Sequence, residues 1–535
     1  MRVVELHITD ISKEGYGHTQ WTNPQGLCSQ VEVPFTAPGD HVTVELGKKR
    51  KSSFQGKLLV LNTPSNQRIE ALCAHFGACG GCRWQHLPYA QQLELKSEKI
   101  RTLLTPYLHA QTVWYPILAC SPPWEYRNKM ELSFSSDKAN NRYLGLILQG
   151  SRGRVFQMKE CHLVNKWYVD AVNAVSYWWE KSGLEAYHLH RNTGSLRTLI
   201  LREGQRSGDR LVMLTVSGNP DYALKKQQID EFVACLKAAI TPLQAEARLC
   251  IFLRIQQIAK GHPTHFYEMV LSGPDHIRET LHLRVEGVNT ADYAAPFITS
   301  SQESAERKGV DVKDRNEGIA LAIAEERSLT DAPLQRAGLS DEIMKVADYS
   351  MKFRVSPGAF FQPNTRQAEQ LYSRALSLAQ LTPQATVYDL YCGTGTLGLC
   401  AARHAKEVIG IEINPDSVVD ARENVKINQV SNFSIRKGDV GAILAELKKE
   451  NRPSPDVVFV DPPRVGLDAQ ALRHLIELKA ARIVYISCNP LTQAANLETL
   501  IQEGGYVLEA VQPVDQFPQT IHVENIVVLN RKINP

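Results

Sequence analysis

The sequence predicts a multidomain α/β protein: a small β-barrel over residues 1–62, a mixed α+β unit over 63–350, and a mostly parallel sheet flanked by helices over 351–535. Three observations carry this reading. The chain has 535 residues, more than one hydrophobic core normally serves, so it calls for roughly two to four domains. Short strand-like runs broken by Gly, Pro and Asn crowd the N-terminal segment. From residue 366 onward, strand and helix patterns alternate, which is the rhythm of parallel strands joined by helical crossovers.

The elements follow in order. Val3 to Ile11 mixes apolar and polar positions before a Gly15-Tyr16-Gly17 turn. The runs 30–35 and 40–46 alternate more cleanly, and Phe54 to Leu61 supplies another strand. A helix is expected from Tyr89 to Leu104, with strands such as 129–134 and 211–216 in the central unit. Residues 298–345 are polar and rich in Ala, Glu and Lys, with a helical tendency and no further assignment. Arg366 to Gln380 reads as an amphipathic helix. Strands are expected over 386–390, 407–413, 456–461, 482–487, 506–511 and 524–529, with helices over 397–404 and 415–428.

Composition narrows the class. A net charge of +3 makes any nucleic-acid contact a local patch rather than a generally basic surface. The densest basic run, Lys48-Lys49-Arg50-Lys51, reads as a solvated loop. The N-terminus lacks the apolar core of a signal peptide. No apolar run reaches the roughly 18 residues of a membrane span, so the expected location is the cytoplasm. Of 11 cysteines, Cys73, Cys79 and Cys82 sit close together. In a cytosolic chain such a group reads as metal or cluster binding before disulfide.

In sheets of this kind ligands bind beyond the carboxyl ends of the strands. The first predicted strand of the C-terminal unit runs into Asp389-Leu-Tyr391-Cys-Gly393-Thr-Gly395-Thr396, where glycines allow a tight turn and close approach to a ligand. The second ends at Glu412, placed for ribose hydroxyls of an adenosine-bearing cofactor; a purely structural turn competes with this reading. The fourth ends in Asp461-Pro462-Pro463-Arg464, a carboxylate on a rigid ledge. The fifth ends at Cys488, either a nucleophile or an inert buried thiol. His522 and Glu524 open the last strand beside the same crevice. A thiolate, a base and a methyl donor suit methylation of uracil at C5: Cys488 adds to C6, C5 attacks the methyl group, and Glu524 removes the C5 proton.

Together, Phe361-Gln362-Pro-Asn364, Asp389-Leu-Tyr391-Cys-Gly-Thr-Gly, Gly410-Ile-Glu412, Asp461-Pro-Pro-Arg464, Ser487-Cys488-Asn489-Pro490 and the run from Asp515 to Glu524 resemble the RNA 5-methyluridine methyltransferase family, in its family order. The resemblance implies a class I S-adenosylmethionine methyltransferase (Rossmann-like) domain. It implies S-adenosylmethionine contacts at Gln362, Tyr391, Glu412 and Asp461, with Thr396 and Asp439 near the cofactor, Cys488 as nucleophile and Glu524 as proton acceptor. The N-terminal half resembles the iron–sulfur branch, which is similar to 23S rRNA uracil-5-methyltransferases. There Cys73, Cys79, Cys82 and Cys161 would hold a [4Fe–4S] cluster, zinc being the chemical competitor for four thiolates. Residues 1–62 resemble the TRAM RNA-binding barrel, and part of 88–116 is expected against the catalytic domain. The implied partner is ribosomal RNA, and the implied state a monomer. Transfer RNA, an amine N-methyltransferase using Asp461-Pro-Pro, a cytosine-5 methyltransferase and a non-catalytic RNA-binding scaffold are the rival readings.

Overall fold

In the computed structural model the described residues are 2–50, 53–151, 153–240, 245–258, 264–287 and 346–532. The polar segment 298–345 lies outside them. Six strands build the N-terminal sheet: β1 (Arg2–His7), β2 (Asp10–Ile11), β3 (Gly17–Thr22), β4 (Cys28–Val33), β5 (His41–Arg50) and β6 (Ser53–Thr63), in the order β1-β5-β6-β4-β3-β2. Alternate residues Val31 and Val33, and Val42, Val44 and Leu46, point into its core, as the two-residue strand period requires. The basic run departs from expectation. Lys49 and Arg50 pair with Phe54 and Ser53, so Lys48 to Arg50 continue strand β5 instead of forming a loop, and Lys51 lies outside the described residues.

Helix α1 (Tyr89–Leu104) and the short strand β7 (Val113–Trp114) follow. The central sheet contains β8 (Lys129–Ser136), β9 (Arg142–Ile147), β10 (Val155–Gln157), β11 (Leu196–Glu203), β12 (Arg210–Ser217), β13 (Leu249–Gln257) and β14 (His265–Ser272), ordered β10-β9-β8-β11-β12-β13-β14. Helices α2 (Lys166–Ser182) and α3 (Lys226–Ala239) join it. Its inner strands are apolar on both faces. Leu199, Leu201, Val212 and Leu214 pack with Trp178, Trp179 and Phe232 of the helices. Their neighbours Ile200, Leu211, Met213 and Phe252 enter a second core that continues into the C-terminal unit. A strand buried on two faces reads as a continuous apolar run for this reason.

An antiparallel pair, β15 (Ile277–Glu286) and β16 (Val346–Val355), lies between the units, so residue 350 falls inside a strand. Helix α4 (Thr365–Ala379) packs on β15. The C-terminal sheet comprises β17 (Thr386–Leu390), β18 (Glu407–Glu412), β19 (Phe433–Lys437), β20 (Val457–Val460), β21 (Arg482–Ser487), β22 (Tyr506–Val514) and β23 (Glu524–Arg531). Its order is β19-β18-β17-β20-β21-β23-β22-β7. All neighbours are parallel except β23, which runs against both β21 and β22. The crossover helices are α5 (Thr396–Ala402), α6 (Pro415–Ile427), α7 (Val440–Lys449), α8 (Ala469–Leu478) and α9 (Pro490–Gln502). Tyr388, Leu390, Val458, Val460 and Tyr485 face one core with Ile100 and Leu104 of α1, while Val387, Phe459 and Val484 face the other. No helix among the described residues is long and apolar enough to cross a membrane.

Candidate active site

The carboxyl ends of β17, β18, β20 and β21 lie along one edge of the parallel sheet, and the candidate residues Tyr391, Glu412, Asp461 and Cys488 stand at or just beyond them. After β17 the chain turns sharply: Tyr391, Gly393 and Gly395 have φ of 63°, 55° and 77°. A Cβ on Gly395 would come within 3.1 Å of the Phe433 ring and 3.2 Å of Ala421 Cβ, so glycine serves both the left-handed backbone and the close packing. The buried Asp389 carboxylate accepts from Gly398 N at 2.7 Å and ties helix α5 back to its strand. Burial pushes Asp389 up to about 8. One oxygen of Glu412 accepts from Gly393 N at 2.9 Å and the other from Asn414 N at 2.6 Å. Glu412 therefore holds the glycine loop while staying partly open to the crevice.

Gln362 is buried, with its side-chain oxygen accepting from Gln516 Nε2 at 3.3 Å and its carbonyl from Asn128 Nδ2 at 2.9 Å. Thr396 Oγ1 lies 3.0 Å from Thr394 Oγ1. Asp439 caps α7 by accepting from Ala442 N at 3.0 Å, which occupies one of its carboxylate oxygens.

Strand register brings the remaining groups together. Ser487 pairs with Asn525 in the antiparallel ladder, so Cys488 and Glu524 are the next facing positions at its end. Glu524 is 3% exposed, and its Oε2 has no hydrogen-bond partner. Burial, reinforced by Asp461 and opposed by Arg464, pushes Glu524 up to about 8. Burial first, then Glu524 and Asp461, push the half-buried Cys488 thiol up to about 11, again against Arg464. Asp461 rises to about 7 through burial, although a part of it still faces the crevice. The ledge carrying Arg464 is tied down: its carbonyl accepts from Asn489 Nδ2 at 2.9 Å. His522 falls to about 4, through burial and then Arg464 and lysine neighbours, so it is neutral near pH 7.

The four cysteines singled out in the N-terminal half also converge. Cys73, Cys79, Cys82 and Cys161 line one cavity of about 200 Å³, together with Arg127 and Glu160. Burial pushes Cys82 up to about 12 and Cys161 to about 11. Among the described residues, no three His, Cys, Asp or Glu side chains are arranged to hold a single metal ion.

Several residues of this region had no role in the sequence reading. Asp389 and Arg464 sit within recognised runs, yet only the folded arrangement shows the first gripping α5 and the charge of the second opposing the rise of both Cys488 and Glu524. Lys96 gave no local signal at all.

The sequence model of the tRNA (uracil-5-)-methyltransferase family matches residues 313–532. An uncharacterized RNA methyltransferase of Protochlamydia amoebophila is 54% identical over 499 residues, 93% of this chain and 99% of its own. The chain belongs to the RNA uracil-5-methyltransferase family. A further relative of this RNA methyltransferase, an uncharacterized RNA methyltransferase of Clostridium tetani, is 30% identical and covers 99% of this chain and 97% of its own. The Pyrococcus abyssi tRNA (uracil-54, C5)-methyltransferase, solved with S-adenosyl-L-homocysteine, shares the fold at a TM-score of 0.62 and 21% identity. That match covers 98% of this chain and all of the other. The enzyme is thus an RNA methyltransferase.

Proposed function

We propose that this enzyme methylates C5 of a uracil through a covalent adduct at Cys488. The observation that carries the proposal is the facing pair at the end of the ladder: a half-buried thiol opposite a buried carboxyl with one unpartnered oxygen. The Cys488 thiolate adds to C6 of the base, and the C5=C6 electron pair moves into an enolate. C5 then takes the methyl group that S-adenosylmethionine supplies. Glu524 removes the C5 proton, the C5–H electrons restore the double bond, and the C6–S bond breaks to return the thiolate. The base must leave its stack to expose both C5 and C6. Gln362, Tyr391, Glu412 and Asp461 hold the cofactor, with Thr396 and Asp439 beside them.

The four cysteines fit a [4Fe–4S] cluster better than zinc. The iron–sulfur resemblance carries that preference; the four cysteines line one cavity, and zinc is the chemical competitor for four thiolates. When bound, the cluster would supply a cross-link between the loop of Cys73 to Cys82 and the segment around Cys161; methyl transfer needs no electron. Iron and sulfide analysis of anaerobically purified protein tests this. The N-terminal sheet, where Arg2 stacks on Trp21 and Lys49 on Phe54, acts as a TRAM-like RNA contact. The enzyme works in the cytoplasm as a monomer.

The substrate in this reading is ribosomal RNA, following the iron–sulfur resemblance. Transfer RNA is the second reading, favoured by the name of the matching family and of the Pyrococcus abyssi enzyme. Labelled methyl transfer into RNA fractions from cells lacking the enzyme, followed by nucleoside analysis, decides between them. 5-Methyluridine in ribosomal RNA supports the first, and the same product in transfer RNA the second. No methylated pyrimidine in any fraction would refute the catalytic scheme and leave a non-catalytic scaffold.

A further inference from the structure

Helix α1 buries Gln92, Lys96, Ile100 and Leu104, one face at four-residue spacing. The last two are apolar and enter the core beneath the C-terminal sheet. The first two are polar, and both grip the segment that leads to Glu524. Gln92 accepts from Gln519 N at 2.9 Å and donates to Gln519 Oε1 at 3.0 Å. Lys96 donates to Asp515 Oδ1 at 2.5 Å and to the Phe517 carbonyl at 3.0 Å. The side chains of Lys96 and Asp515 are both 0% exposed.

A wholly buried ion pair is a costly way to join two elements, since apolar residues of similar volume often hold as well or better. What it provides is direction. The second oxygen of Asp515 accepts from Tyr89 OH at 2.8 Å, and that hydroxyl accepts from Cys120 N at 2.8 Å. The neighbouring Gln516 reaches Gln362 Oε1 at 3.3 Å. The Phe517 carbonyl also accepts from Thr520 Oγ1 at 2.8 Å, and Thr520 Oγ1 in turn accepts from His522 N at 3.2 Å. Two residues further stands Glu524. One ammonium group therefore anchors both the base-bearing segment and, through Gln516, the glutamine at the other side of the crevice.

We propose that Lys96 is a positioning residue for methyl transfer, setting the place of Glu524 through its bonds to Asp515 and the Phe517 carbonyl. This rests on the proposed reading of Glu524 as the C5 base. A base displaced by a fraction of an ångström still permits addition of Cys488 and methylation, but slows the proton removal that expels the thiolate.

The test uses the full-length enzyme with RNA tritiated at uracil C5, following tritium release and the RNA–protein adduct on denaturing gels. In Lys96→Met, with circular dichroism and RNA affinity unchanged, tritium release should fall about a hundredfold while the adduct accumulates and draws the apparent KM for RNA down with kcat. In Lys96→Met/Asp515→Asn, which removes the unpaired acid, the melting temperature should recover but turnover should not. A folded Lys96→Met with the wild-type rate, or a double variant that regains rate together with stability, would overturn the proposal. Should Lys96→Met fail to fold, Tyr89→Phe removes one hydrogen bond to the same carboxylate and the acceptor of Cys120 N; release roughly tenfold slower with unchanged circular dichroism supports the proposal, and an unchanged rate overturns it. If the wild-type enzyme forms no 5-methyluridine, the reading of Glu524 fails first and the positioning role falls with it.

Discussion

Glu524 is held at about 8 by burial and by Asp461, so the proposed release of an adduct at Cys488 should carry a definite pH dependence. A carboxyl with that value is about one-tenth ionised at pH 7 and about nine-tenths at pH 9. Proton abstraction needs the ionised form, so the rate of tritium release from C5 should rise about tenfold between these pH values and level off above about 8. Addition of Cys488, held at about 11, should instead keep rising through pH 9 without levelling. Rapid quenching on denaturing gels follows the adduct, and released tritium follows its resolution, so the steps separate. Glu524→Gln should abolish the levelling arm, slow release by about 10²–10⁴-fold and leave the adduct standing. The same raised value also affects stability. A carboxyl raised in the folded state contributes stability that is fully present below its unfolded value of 4.5 and lost as pH rises through about 8. Glu524→Gln should therefore melt higher than the wild type at pH 9, with that advantage gone at pH 4. A release rate flat between pH 7 and pH 9 in the wild type, or turnover by Glu524→Gln at the wild-type rate, would refute the reasoning.

Other outcomes follow from the same site. Cys488→Ala should show no adduct and no 5-methyluridine while still binding S-adenosylmethionine by calorimetry. Asp461 sits at about 7, so affinity for the cationic cofactor should strengthen as pH rises from 6 to 8. S-adenosyl-L-homocysteine, which lacks the sulfonium charge, should respond less in the same titration. Arg464 opposes the upward push on both Cys488 and Glu524; Arg464→Ala should slow adduct formation by a similar factor at pH 7 and at pH 9, since both lie below the thiol's value of about 11, read on the same gels. Cys82→Ser should lower the iron content of anaerobically purified enzyme, measured against protein, whereas Cys235→Ser, outside the cysteine cavity, should not.

The C-terminal sheet was legible because its strands are short apolar runs closed by an acid, a glycine or a cysteine. The expected strands over 386–390 and 482–487 coincide with β17 and β21. Facing positions were less so. That Cys488 lies opposite Glu524 depends on the antiparallel register of β21 and β23, which local periodicity does not contain. The central strands were visible as apolar runs, but not that one face of their sheet enters the core of the catalytic unit. Two-sided burial is a property of what packs outside the strand. Lys48 to Arg50 were taken for a loop because charges predominate, yet a strand needs only its backbone partners, which Phe54 and Ser53 provide. Lys96 looks in sequence like any solvated lysine of a mixed helix. Only the placement of Asp515, 419 residues away, gives it meaning.

That separation has a consequence for how the protein is made. At about 5–20 residues per second, roughly 20–80 s pass between synthesis of Lys96 and of Asp515. During that time α1 shows an unpaired cation and the unpartnered side chains of Ile100 and Leu104 to solvent, and β7 has no sheet to join. The N-terminal sheet and the helix-bearing face of the central sheet draw on residues already synthesised and can order while the ribosome is still at work. The candidate catalytic centre cannot, because α1 is made long before the segment leading to Glu524 that it grips. Slow or interrupted translation between the two would therefore yield a chain whose N-terminal and central sheets are formed and whose Cys488–Glu524 pair is not.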